Sequence, residues 1–129
     1  MAYPFFWVER EILDSPAYLD LGHPASRVLL HFFAKCQYQK HKSPKRTEWI
    51  ISNNGDLVFS YQEARERGLS SATFRKCLVE LQAHGFLRQT VKGRGGALGM
   101  DHRPSRFALS DDWKRWSDGP MVLIKDFGK

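Results

Sequence analysis

A chain of 129 residues, 42% apolar and 13% aromatic, can bury a core large enough for one domain. It has no run of about 18 apolar residues, so no membrane-spanning helix is expected. Glu9 interrupts the short apolar stretch Pro4 to Val8, so no secretory leader is expected and a cytoplasmic protein is.

The formal net charge is +6, and its placement is uneven. Residues 35 to 46 hold Lys35, Lys40, Lys42, Lys45 and Arg46 with no acid. Residues 86 to 106 hold Arg88, Lys92, Arg94, Arg103 and Arg106 against Asp101 alone. A solvated surface mixes its signs more evenly, so one side of the molecule is expected to face a polyanion.

In chain order, Phe5, Phe6, Trp7 and Val8 read as a short strand or arm laid on the core, or as a dimer contact. Ser15 and Pro16 form an N-cap and N1 pair for a short helix ending near Gly22. Residues 1–21 are thus an N-terminal arm. From Pro24 to Tyr38, Ala25, Val28, Leu29, Phe32, Phe33 and Cys36 keep helical register, which predicts a buried central helix. His31 in that helix is read as structural. Cys36 and Cys77 fall at apolar helical positions and are expected to be buried free thiols. Gln37 to Thr47 is polar, basic and broken by Pro44, so it reads as a loop, either simply solvated or making a secondary phosphate contact. TEWIIS and DLVFS flank Asn53-Asn54-Gly55, which predicts a short hairpin turning at that Asn-Gly pair.

The stretch Ser60 to Phe86 organises the rest. Ser60 and Glu63 have capping-box spacing, Gly68 can take the left-handed conformation that ends a helix, Leu69 can anchor the corner, and Ser70 can cap a second helix over about 71–84. Phe74, Cys77, Leu78 and Leu81 face inward in that helix, which turns Ser71, Thr73, Arg75, Lys76 and Glu80 toward or beside solvent. FLRQTV and SRFALS read as strands joined by the glycine-rich basic loop KGRGGALGMDHRP. Asp111 is expected to cap a short helix DWKRW whose Trp113 and Trp116 close the core. The tail, 118–129, holds an apolar run from Met121 to Ile124 that is expected to pack on this domain or on a partner.

A helical corner followed by a hairpin with a long basic tip resembles the winged helix-turn-helix superfamily of DNA-binding proteins. Ser70, Thr73, Leu78, Leu81, Gly85 and Phe86 carry the resemblance most specifically. Within the superfamily the chain looks like the small winged-helix proteins of phage and plasmid replication and regulation. The resemblance implies an α+β fold with a three-helix core and a β-hairpin wing over residues 22–117, with the aromatic arm and the short hairpin added.

It also implies binding of double-stranded DNA, in transcriptional control or replication of a mobile element. The second helix of the corner would enter the major groove with Ser71, Thr73, Arg75 and Lys76. Lys92, Arg94, His102 and Arg103 on the wing, about 92–104, would follow the backbone or enter the minor groove. One module covers little DNA, which leaves room for a homodimer without the sequence requiring one. The alternative is a protein-docking winged helix, favoured by the acids Glu63, Glu66 and Glu80 near the corner. RNA or another single strand would want an exposed aromatic platform, which the sequence does not reveal. No nucleophile elbow, phosphate loop or zinc-ligand pair appears, so no enzyme activity, metal or cofactor is expected.

Overall fold

The computed structural model describes residues 4–93 and 103–117. Within them the chain is an α+β domain of five helices and two antiparallel hairpins. Two single-turn helices, α1 (Arg10–Leu13) and α2 (Pro16–Leu19), precede the central helix α3 (His23–Ala34). Ser15 caps α2 by accepting from the Tyr18 amide at 3.1 Å, with Pro16 at N1 as its sequence position requires. Ile12 and Ala17 enter the same core as α3.

The aromatic segment before α1 forms no strand. Tyr38 Oη occupies the backbone of Trp7 instead, taking its N–H at 3.4 Å and donating to its carbonyl at 3.5 Å. Of the expected arm, Val8 packs on the core while Phe5 and Phe6 are exposed.

Helix α3 stops at Ala34, short of the expected Tyr38. Asn53 reaches back to end it, with Nδ2 donating to the Lys35 carbonyl at 2.9 Å and Oδ1 accepting from the Gln37 amide at 2.8 Å. The chain then enters β1 (Tyr38–Lys42), which pairs antiparallel with β2 (Thr47–Ile51). The predicted loop over 37–47 is therefore a strand and a turn. That turn lies at Ser43 to Arg46, closed by the Ser43 amide donating to the Arg46 carbonyl at 2.9 Å, and not at Asn53-Asn54-Gly55. Of DLVFS only Leu57 pairs, as a single isolated bridge. It exchanges both backbone hydrogen bonds with Phe107, at 3.0 and 2.9 Å.

The corner is built from α4 (Tyr61–Glu66) and α5 (Ser71–Ala83). Ser60 accepts from the Glu63 amide at 3.0 Å, so half of the expected capping box is present. The Glu63 carboxylate turns away from that box to Lys35 Nζ, 2.6 Å off, because a cation attracts it more strongly than a neutral amide does. Gly68 takes φ +86° at the end of α4, and Leu69 is buried. Ser70 caps α5 by accepting from the Thr73 amide at 3.1 Å. Phe74, Cys77, Leu78 and Leu81 are buried as their period requires. Phe32, Phe74, Phe86 and Phe107 are at most 2% exposed, and burying each ring contributes about 1.5 to 3 kcal/mol.

After Gly85, at φ +84°, the chain forms the hairpin of β3 (Leu87–Val91) and β4 (Arg106–Leu109). A 3-10 turn at Asp112–Arg115 follows, and its cap differs from expectation: Ser110 Oγ, not Asp111, accepts from the Asp112 amide at 3.1 Å. Trp113 stacks on Phe86 at 5.9 Å and Trp116 on His84 at 4.6 Å, so both tryptophans close the core. His84 links three elements, with one ring nitrogen 2.8 Å from the Glu80 carbonyl and the other 2.8 Å from Asp20 Oδ2. Among the described residues no helix is long and apolar enough to cross a membrane. The tail 118–129 lies outside the described residues.

Candidate nucleic-acid interface

An open cleft of about 780 Å³ lies between α4, α5 and the stem of the β3–β4 hairpin. Arg65 of α4, Arg75 of α5, and Lys92 and Arg103 at the two sides of the hairpin stem all line it, and no acid among the described residues does. Gln62, Gln82 and Gln89 add amides able to donate or accept. Phe59, Leu78 and Phe107 form a low-dielectric floor, which strengthens the field of the four cations above it.

Local chemistry sets these positions. Arg75 follows buried Phe74, and one residue turns the helix by about 100°, enough to carry Arg75 to the hairpin side of α5. Gly93 lets the two hairpin sides approach closely, since a Cβ there would stand 2.6 Å from the Ser105 backbone nitrogen. Its amide donates to Ser105 Oγ at 2.9 Å, and Gln89 Nε2 donates to the same oxygen at 3.0 Å. Lys92 and Arg103 are held at one level of the stem as a result.

The eight residues expected to contact DNA fall into different places. Arg75, Lys92 and Arg103 share the cleft. Ser71 is exposed in the first turn of α5. Thr73 is half-buried and its Oγ1 accepts from Ser70 Oγ at 2.9 Å, which leaves its own hydroxyl proton to donate. Lys76 is exposed but does not line the cleft, lying about 100° further round α5. Arg94 and His102 lie outside the described residues.

Arg65 was not singled out by the sequence. Its signal was the spacing of four from Tyr61, a ring that packs edge-on to Phe74 at 5.0 Å and so marks the cleft-facing side of α4. The acids that might repel a polyanion near the corner are mostly engaged inside the molecule. Glu63 binds Lys35 at 2.6 Å and stands 3.8 Å from Arg67, and Glu80 accepts from the Gly22 amide at 2.8 Å.

No protein-family model, curated protein or solved structure matches the chain.

The titratable groups offer little reactive chemistry. Burial pushes the Cys36 thiol up to about 11, and it raises Cys77 too, with Glu80 adding to the effect, so neither forms the thiolate a nucleophile needs. Among the described residues no group of three or more His, Cys, Asp or Glu could hold a metal ion. His31, edge-on to Phe59 at 5.7 Å, has its pKa lowered by burial first, then by Arg67 and Arg27.

A pH effect on stability follows from His31. Below its ordinary value of 6.5 the unfolded chain takes up a proton that the native side chain resists, so stability is expected to fall as pH drops through 6.5 toward the lowered native value. Urea titrations from pH 7 to about 5 check this, with His31→Phe expected to flatten the decline. Parallel declines in both proteins would remove His31 as the cause.

Proposed function

We propose that the chain is a winged-helix protein that binds duplex DNA, with α5 as the helix in the major groove and the β3–β4 hairpin as the wing. One observation carries the reading: cations from α4, α5 and both sides of the hairpin converge on one cleft with no acid among the described lining. The Leu57–Phe107 bridge supports it, because it ties the segment entering the corner to β4 beside the wing.

A helix with its side chains is about 10 to 12 Å across, and the major groove of B-form DNA is about 12 Å wide. With α5 in that groove, Arg75 would hold a phosphate or guanine on the wing side. Lys76 would reach the other wall, and Ser71 and Thr73 would donate hydroxyl hydrogen bonds. Val79, 60% exposed on the outward stripe between them, suits a thymine methyl. Lys92 and Arg103 would hold the neighbouring backbone, with Arg94 and His102 continuing along the wing. The protein would act by occupancy, in transcriptional control or replication of a mobile element in the cytoplasm, as a homodimer or through a protein partner at its tail. A protein-docking role leans on Glu63, Glu66 and Glu80, and the internal bonds of Glu63 and Glu80 weaken it.

Titrating a random-sequence duplex at graded salt tests the proposal. If each of the four cleft cations neutralises one phosphate, log affinity falls against log salt with a slope of about −4. No shift of the duplex in low salt would reject DNA binding in favour of docking.

A further inference from the structure

The β1–β2 hairpin has no part in the duplex reading, yet it carries a second charged surface. Residues paired across an antiparallel ladder project from the same face. The register pairs Lys40 with Trp49, Tyr38 with Ile51 and Lys42 with Thr47, which puts two lysines and two aromatic rings on one face. Trp7 adds a third ring, 5.5 Å from Trp49 and nearly perpendicular to it, and 4.6 Å from Tyr38.

These rings are fixed by one another and still open to solvent. Trp7 is 50% and Trp49 42% exposed, whereas large aromatic side chains are usually mostly covered. Lys40 Nζ sits 5.4 Å from the centre of the Trp49 ring. Lys42 and Lys45 form no ion pair among the described residues, and Glu48, the sole acid of residues 38–51, is neutralised by Arg46 at 2.5 Å. A purely apolar partner would strand these cations. A ligand that offers flat π faces joined by negative charges matches both features.

We propose that this face binds single-stranded nucleic acid, with bases stacking on Trp49 and Trp7 while Lys40, Lys42 and Lys45 follow the phosphates. Duplex DNA fits poorly, because its bases are already stacked on each other and show the protein only their edges. A single strand can unstack and lay its bases on rigid rings. Lys40 and Lys42 stand about 7 Å apart along β1, a distance that successive phosphates of an extended strand can span. The exposed aromatic platform that single strands favour, which the sequence does not reveal, is supplied by Trp7 and Trp49.

The test measures anisotropy of labelled oligo(dT), about twenty nucleotides long, on the full chain, beside an abasic oligomer of equal length and charge. Wild type is expected to bind oligo(dT) more tightly than the abasic strand. Trp49→Ala is expected to weaken oligo(dT) about tenfold while leaving the abasic strand and a random duplex nearly unchanged. Lys42→Glu combined with Lys45→Glu, two exposed positions whose change leaves the core intact, is expected to weaken both single strands. Arg75→Glu with Lys92→Glu should weaken duplex binding on the order of a hundredfold and spare oligo(dT), which separates this site from the cleft. The proposal is overturned if oligo(dT) does not bind in low salt, if the abasic strand binds equally well, or if the cleft variant and not the hairpin variants lowers oligo(dT) affinity.

Discussion

A methyl group added at Gly85 is expected to destabilise the protein by about 3 kcal/mol or more. Part of the loss is conformational: Gly85 has φ +84°, where an L residue is disfavoured by about 1 to 2 kcal/mol. The larger part is steric. A Cβ at this position would stand 2.5 Å from the Trp113 nitrogen and 2.6 Å from the Asp112 carbonyl carbon, and backbone atoms cannot rotate aside as a side chain can. Relief requires moving the 3-10 turn, which breaks the hydrogen bond from the Trp113 amide to the Gly85 carbonyl and lifts Trp113 from Phe86. Gly68→Ala is the matched comparison, with φ +86° but nothing within 4 Å of its Cβ, and about 1 kcal/mol is expected there. Urea midpoints of the two variants separate the terms. Equal losses would mean that the close approach at Gly85 contributes nothing. Because Gly85 joins α5 to β3, its variant should also loosen the angle at which helix and hairpin meet.

The corner was legible because its determinants are local. Ser70, Gly68 and Gly85 act within a few bonds of where they stand, and the spacing of Phe74, Cys77, Leu78 and Leu81 reports burial directly. The β1–β2 hairpin was not. Four of the five residues of β1 are exposed, so no hydrophobic alternation marks it, and its turn at Ser43 to Arg46 carries only a proline as punctuation. Asn53-Asn54-Gly55 carried the stronger turn signal, but its amides serve distant partners. Asn53 binds Lys35 and Gln37, and Asn54 accepts from the Leu109 amide at 2.8 Å across 55 residues. Glu63 misled in the same way, since its spacing from Ser60 suited a capping box while Lys35, 28 residues earlier, took its carboxylate. Three of the four cleft cations, Arg75, Lys92 and Arg103, were visible as charge on α5 and the wing. Arg65 was hidden because its spacing of four from Tyr61 points into the cleft only once Tyr61 packs on Phe74, a contact between two helices.

Reversing two of the cleft charges, Arg75→Glu with Lys92→Glu, is expected to lower affinity for any duplex by on the order of a hundredfold in low salt. Both residues line the cleft with Arg65 and Arg103, so each reversal removes an attraction and sets a carboxylate against the phosphate it would have held. Both side chains are exposed, so stability should change by no more than about 0.5 kcal/mol, and the loss can be read as binding. The salt slope should shrink by about two, one for each lost phosphate contact. Lys76→Glu divides the remaining possibilities. Lys76 lies outside the cleft on α5, so reversing it should cost a random duplex less than either cleft change does. On a selected sequence its loss should rise to about 1 to 3 kcal/mol if Lys76 reads a base, and stay the same if it touches only backbone. A double reversal that left affinity and slope intact would remove the cleft as the seat of DNA, because no rearrangement of exposed side chains turns two carboxylates into phosphate ligands.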